Sequence, residues 1–162
     1  MNLGTAMLAS TVVRIFDDTI GKVVALAVFM PIVAGMGGNA GTQTLTLIVR
    51  GIALGEIDLE NKKEILKKES LVGLIHGMIL GLIVALIAGI WEHNIVFGFV
   101  IGAAMLLNMV IAALAGFSIP LLLKKLNIDP ALASSVFVTT MTDVLGFSIF
   151  LGLATVLIHY LI

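Results

Sequence analysis

The sequence predicts an all-α, polytopic membrane protein in which residues 1–162 form one transmembrane domain of five helices. The composition is 60% hydrophobic and 12% charged, with a mean hydropathy of +1.19, whereas soluble domains carry about 25% charged residues. Uncharged runs long enough to cross a bilayer also recur along the chain. The net charge of -1 indicates no basic surface for nucleic acid. Because the sequence has no cysteine, disulfides and thiolate metal sites are excluded.

The long apolar runs predict the positions of four of the five spans. Three of these runs hold at least 22 residues without a charge, and the fourth, of 33 residues, contains Asp143 as its one charge; about 20 residues of helix cross the hydrocarbon. The runs lack the alternation that is typical of strands in a membrane β-barrel. Residues 1–13 are apolar enough for most of a further helix, and residues 56–69 are charged and predict a solvated loop or helix. The predicted spans cover approximately residues 1–16, 22–50, 70–91, 95–123 and 130–160.

The basic residues predict the orientation of the chain in the membrane. Seven of the nine Lys and Arg residues fall between spans two and three or between spans four and five, and only Arg14 and Lys22 fall on the other side. The positive-inside rule places the larger group in the cytoplasm. We therefore expect a multi-pass protein of the plasma membrane with a cytoplasmic N-terminus and an extracytoplasmic C-terminus.

Span two carries a polar face. Asn39, Thr42, Gln43 and Thr46 follow one another at positions i, i+3, i+4 and i+7. Pro31 removes a backbone hydrogen bond, and the glycines of GMGGNAG make this stretch poor helix material. Freed carbonyls at membrane depth are tolerated only against protein or a water-filled cavity. The pattern indicates a helix that lines a passage; the alternative is a kinked packing helix whose amides bond to its neighbours.

Span five carries a second polar face that contains a carboxylate. Ser135, Thr139 and Asp143 recur every four residues, and Asp143 is the only charged side chain in residues 130–162. If the helix begins near residue 130, Asp143 lies about 20 Å along it. A charge within the hydrocarbon costs roughly 3 kcal/mol, and Lys and Arg occur only at the ends of the spans or between them. A cation from outside the chain must balance it, unless the carboxyl is protonated and donates a hydrogen bond to another helix.

The available ligands favour a hard cation, namely Mg²⁺, Ca²⁺, Mn²⁺ or Na⁺, because they are hydroxyl, amide, carbonyl and carboxylate oxygens. A two-fold dimer would bring two Asp143 carboxylates together, and their charge would match one divalent ion. Either a channel or a transporter coupled to Na⁺ or H⁺ would use such a site. No HExxH or similar motif occurs, so an intramembrane metalloprotease would have no zinc site, and we do not expect an enzyme.

Two segments resemble the MgtE family of magnesium channels. They are PIVAGMGGNAGTQ followed by TLTLIVRGIALGEI (residues 31–57) and TTMTDVLGFSIFLGLAT (residues 139–155). The resemblance implies a homodimeric channel for inward Mg²⁺ flux, with a pore lined by the second and fifth helices of both subunits. It implies that Asp143 holds hydrated Mg²⁺ and that Asn39 and Thr139 face the pore. Mn²⁺ and Co²⁺ prefer ligands similar to those of Mg²⁺, so they are the alternative transported ions.

The resemblance also concerns Asp129 and the partners of the chain. Asp129 corresponds to an acidic position near regulatory Mg²⁺ sites on the cytosolic side; the alternative is an N-cap ahead of Pro130. The family usually carries a cytosolic acidic domain and a pair of CBS domains ahead of the membrane part. Residues 1–162 correspond to the pore domain alone, so the expected partners are a second copy, the bilayer and, if the chain is cut from a longer protein, those regulatory domains.

Overall fold

The computed structural model describes residues 2–57 and 62–162, without the side chains of Asn2, Leu132 and Ala133. The described residues form helices and short connections. The elements are α1 (Asn2–Ile15), α2 (Asp17–Lys22), α3 (Ala25–Ala53), α4 (Lys62–Trp91), α5 (Ile95–Lys125), α6 (Pro130–Val156) and a 3-10 turn at Ile158–Tyr160. Helices α3, α4, α5 and α6 are long and apolar enough to cross a membrane. The predicted fold class, an all-α polytopic membrane protein, is confirmed.

Helices α1 and α4 bear on the number and extent of the predicted spans. The apolar helix α1 ends at Ile15 and has 14 residues, fewer than the about 20 that cross the hydrocarbon, so the count of five spans stays a prediction. Helix α4 begins at Lys62, eight residues before the predicted span three. Its first turns carry Glu64 and Lys68 at i and i+4, which stabilise a solvated extension of the same helix. The rest of the charged segment, residues 58–61, lies outside the described residues.

Helix α3 is continuous through the stretch that the sequence marks as poor helix material. Pro31 lies seven residues into the helix, and the glycines that follow it are helical as well. These glycines allow neighbouring helices to approach: a Cβ at Gly41 would lie 2.6 Å from Val138 Cγ1 and 3.4 Å from the Ala112 carbonyl oxygen. Tertiary packing therefore compensates for the low helix propensity of glycine.

Helix α5 occupies the centre of the bundle. It packs against α3, α4 and α6, while α4 packs mainly on α5 and α1 packs mainly on α6. The largest apolar cluster lies where α3 and α5 begin and α6 ends, with the Phe29 and Phe97 rings edge to face at 5.6 Å. Its buried members are Val23, Leu26, Phe29, Val33, Ala88, Phe97, Val100, Ile101, Ala104, Phe150, Leu151 and Ala154.

Seven of the nine basic residues lie at the opposite end of the bundle, which we call the basic end. There α3 and α5 end and α4 and α6 begin. The basic residues at this end are Arg50, Lys62, Lys63, Lys67, Lys68, Lys124 and Lys125.

Asn108 joins the two polar helices, α3 and α6, through α5. Its side chain is fully buried, and its Nδ2 donates a hydrogen bond of 2.8 Å to the Val33 carbonyl oxygen of α3. The same amide lies against Gly37 of α3 and Gly146 of α6, where an added Cβ would collide with it. Because neither glycine has a side chain, α3, α5 and α6 meet closely around one polar group. This junction holds the two polar faces side by side.

Candidate ion-binding site

The Asp143 side chain lies midway along α6. Thirteen residues separate it from Pro130, the first residue of the helix, which corresponds to about 20 Å along the helix axis. Asp143 is partly exposed, and its carboxylate makes neither a hydrogen bond nor an ion pair with any residue that the structure describes. A carboxylate within the hydrocarbon is stable only beside water, a cation or a polar partner.

The carboxylate opens into a small polar pocket between α1 and α6, with a volume of about 250 Å³. Ser135, Thr139 and Asp143, which form the predicted polar face of α6, all line this pocket. Helix α1 closes the other side. The full lining is Thr5, Ala6, Ser135, Val136, Thr139, Thr140 and Asp143.

Two threonine hydroxyls in this pocket have their oxygen lone pairs available. Thr139 Oγ1 donates to the Ser135 carbonyl oxygen at 3.0 Å, and Thr140 Oγ1 donates to the Val136 carbonyl oxygen at 2.6 Å. A hydroxyl has one proton and two lone pairs, so each of these groups is left as an acceptor. Together with the carboxylate, they present oxygen atoms of the kind that bind a hard cation or the water around it.

Helix α3 places its polar face beside this pocket rather than in it. A Cβ at Gly38 would lie 3.9 Å from both Thr139 Cγ2 and Thr142 Oγ1, so the two helices pass close to each other at this level. Asn39, the next residue, is exposed and does not line the pocket. Gln43 and Thr46, further along the same face, are exposed as well. The predicted stripe on α3 is therefore an open polar surface next to the Asp143 pocket.

Asp129 lies at the basic end, away from Asp143. It is the N-cap of α6: its Oδ1 accepts a hydrogen bond of 2.9 Å from the Ala131 backbone amide, and Pro130 occupies the first helical position. The capping alternative is confirmed, whereas a role for Asp129 in Mg²⁺ binding stays a prediction. About 21 Å of helix separates Asp129 from Asp143, so the two carboxylates do not belong to one site.

We expect Asp129→Asn to leave thermal stability within about 0.5 kcal/mol, because asparagine and aspartate cap helices equally well. Asp129→Ala should cost about 1 kcal/mol, because the Ala131 amide loses its acceptor. Thermal unfolding in detergent, with and without Mg²⁺, measures both variants. If Asp129→Asn kept the wild-type melting temperature without Mg²⁺ but abolished a rise in melting temperature that Mg²⁺ gives the wild-type chain, Asp129 would be a ligand and not only a cap.

The sequence patterns did not reveal the contribution of α1. Thr5 lines the Asp143 pocket, but it lies in a short apolar segment with no polar periodicity of its own. Only the packing of α1 on α6 brings it there. In the part of the chain that the structure describes, no three His, Asp or Glu side chains are grouped for a metal ion. The pocket therefore presents one carboxylate with hydroxyl oxygens, which suits a cation that keeps most of its water.

The chain is similar to known divalent cation transporters. Residues 30–153, which include both polar faces, match the MgtE family, described as divalent cation transporters. The chain is 36% identical over 155 residues to the magnesium transporter MgtE of Bacillus subtilis, 37% identical over 162 residues to that of Enterococcus faecalis, and 36% identical over 156 residues to that of Thermus thermophilus. These matches cover 96%, 100% and 96% of the chain but only 34%, 35% and 34% of the relatives, so the chain spans about a third of their length. The chain belongs to the MgtE family of divalent cation transporters.

Proposed function

We propose that this chain forms the pore of a Mg²⁺ channel that works as a homodimer, and that hydrated Mg²⁺ passes inward between paired Asp143 carboxylates. The observation that supports this most directly is the Asp143 carboxylate itself, which lies midway along a membrane-spanning helix in a polar pocket and has no partner among the described residues. The names of the three relatives, all magnesium transporters, support Mg²⁺ as the ion.

The electrostatics favour a divalent ion with its water shell. A lone carboxylate at this depth costs roughly 3 kcal/mol, and the basic side chains of the described spans, α3 to α6, lie at the basic end, where none forms an ion pair with Asp143. Water and a passing cation remove most of that cost. Two carboxylates and one divalent ion are neutral together, and the hydroxyls of Thr139 and Thr140 can accept hydrogen bonds from the ion's water molecules.

The exposed polar face of α3 supports a second copy as the partner. Asn39, Gln43 and Thr46 are exposed in the single chain, and polar groups that face lipid are costly. A two-fold contact along α3 and α6 would cover these groups and bring the two Asp143 side chains towards a shared, wet conduit. In such a dimer Asn39 and Thr139 would line the pore near Asp143.

The basic end sets the direction of transport in this proposal. Seven basic residues at that end place it in the cytoplasm by the positive-inside rule. The N-terminus is then cytoplasmic and the C-terminus extracytoplasmic. A potential that is negative inside drives each charge inward by about 2.3 kcal/mol per 100 mV, so a passive channel needs no coupled ion.

The test is Mg²⁺ entry into liposomes that contain the purified chain and a trapped Mg²⁺ indicator. A K⁺ diffusion potential, negative inside, should accelerate entry without any Na⁺ or pH gradient. Entry that required a Na⁺ or proton gradient would instead identify a coupled transporter. If no Mg²⁺ entered under any gradient, both the channel and the coupled transporter would be contradicted. Competition by Mn²⁺ and Co²⁺ in the same assay measures the preference among the ions.

A further inference from the structure

A second, larger groove opens at the basic end of the bundle. Its volume is about 950 Å³, at the upper end of the roughly 300–1,000 Å³ that small-molecule sites occupy. It lies away from Asp143, because Met141 of the groove precedes Asp143 by two residues and points about 200° around the helix. The groove is lined by Ile57, Lys62, Leu114, Ala115, Phe117, Ser118, Ile119, Leu121, Leu122, Lys124, Lys125 and Met141.

The floor of the groove is apolar and runs along α5. Leu114 and Leu122 of α5 and Met141 of α6 are exposed on it, with 39%, 56% and 43% of their surface accessible. From Leu114 to Lys125 the helix rises about 16 Å, which is half of the roughly 30 Å hydrocarbon core. The floor therefore has the length of one leaflet, and its chemistry suits an acyl chain.

Three lysines stand around the groove at the basic end. Lys62, Lys124 and Lys125 line it and are exposed, and none of them forms an ion pair with a residue in 2–57 or 62–162. An occupant that fits must place negative charge beside these ammonium groups and apolar groups below them. In a two-fold contact centred on this groove, a second copy of the chain would fit poorly, because it would bring another three lysines to the same place.

We propose that this groove binds an anionic diacyl phospholipid, with the phosphate head group between Lys62, Lys124 and Lys125 and one acyl chain along the α5 floor. Basic pockets between membrane helices on one side of the bilayer suit such head groups. A zwitterionic lipid supplies the same acyl chain but no net charge, so the lysines select against it. Binding at this groove does not depend on ion transport.

The test counts bound lipids by native mass spectrometry of the purified chain in detergent, titrated with dioleoyl phosphatidylglycerol or dioleoyl phosphatidylcholine. The wild-type chain should bind phosphatidylglycerol at least tenfold more tightly. Each lysine near the head group is worth about fivefold in affinity, so Lys124→Gln with Lys125→Gln should weaken phosphatidylglycerol binding by about 25-fold. Ser118→Phe, which fills the floor, should weaken the binding of both lipids.

The control is Lys67→Gln with Lys68→Gln, which removes the same charge from exposed positions on α4 that do not line the groove. It should leave the preference for phosphatidylglycerol unchanged. Equal binding of both lipids by the wild-type chain, or an equal loss in the control variant, would overturn the proposal. A dimer that Ser118→Phe converts to monomer would also overturn it, because a second copy would then occupy the groove.

Discussion

Replacing Asp143 with asparagine is expected to reduce Mg²⁺ flux by about two orders of magnitude. Asparagine keeps the size of the side chain and the polarity of the pocket but removes the charge that balances the ion. If the carboxylate contributes about 3 kcal/mol to holding the cation at this depth, its loss corresponds to roughly a hundredfold in rate or affinity. Mg²⁺ entry into liposomes under an inside-negative potential measures the effect directly.

The matched control for this substitution lies on the same helix. Asp129→Asn makes the identical chemical change at the N-cap of α6 and should leave the flux within a factor of two of wild type. Asp143→Glu keeps the charge on a longer side chain and should retain part of the flux with altered ion preference. Full Mg²⁺ flux and unchanged selectivity in Asp143→Asn would remove Asp143 from the transport pathway.

Replacing Gly81 with leucine is expected to detach α4 from the bundle. A Cβ at Gly81 would lie 2.8 Å from the Gly102 carbonyl oxygen of α5, a backbone atom that cannot move aside locally. Helix α4 packs mainly on α5, so no other contact of similar size holds it in place. Overpacking of this kind costs about 3 kcal/mol or more, which is a large part of the stability of a domain.

The single tryptophan of the chain reports this change. Trp91 ends α4, and its ring lies 6.2 Å from the Phe29 ring of α3, edge to face. Thermal unfolding followed by tryptophan fluorescence should show a large drop in midpoint for Gly81→Leu. Gly152→Leu is the control, because a Cβ there meets nothing within 4 Å. Similar midpoints for the two variants would show that the close contact between α4 and α5 contributes little.

The polar face of α6 could be predicted from the sequence because helical periodicity alone determines it. Ser135, Thr139 and Asp143 share a face on any regular helix, and the structure brings them into one pocket. The cap at Asp129 could also be predicted from the sequence, because it depends only on adjacent residues. The position of Thr5 could not be predicted, because it follows from the packing of α1 on α6, which joins residues that are about 130 positions apart in the sequence.

Local rules were misleading where tertiary packing outweighs propensity. The glycines of α3 predicted weak helix, yet Gly37 and Gly41 are helical because Asn108, Ala112 and Val138 pack directly against them. Helix α4 begins at Lys62, ahead of the predicted span at residues 70–91, because hydropathy marks only the apolar part of a helix; its charged first turns fall in the segment that was predicted to be a solvated loop or helix. The proposed pairing of two Asp143 side chains depends on a contact between copies, which no periodicity within one chain encodes.

The most direct test of a hydrated pathway at Asp143 is to measure whether water reaches this residue. The chain has no cysteine, so single substitutions can be labelled without background by a charged, membrane-impermeant thiol reagent, which reacts only with thiolates in water. We expect rapid modification of both Asp143→Cys and Thr139→Cys in liposomes, and Mg²⁺ should slow the modification of Thr139→Cys, which keeps the Asp143 carboxylate. Leu151→Cys, buried in the core, and Leu86→Cys, on the exposed face of α4, should react slowly. If Asp143→Cys reacted as slowly as Leu86→Cys, with or without Mg²⁺, Asp143 would not face a wet conduit and the proposed pore would be wrong.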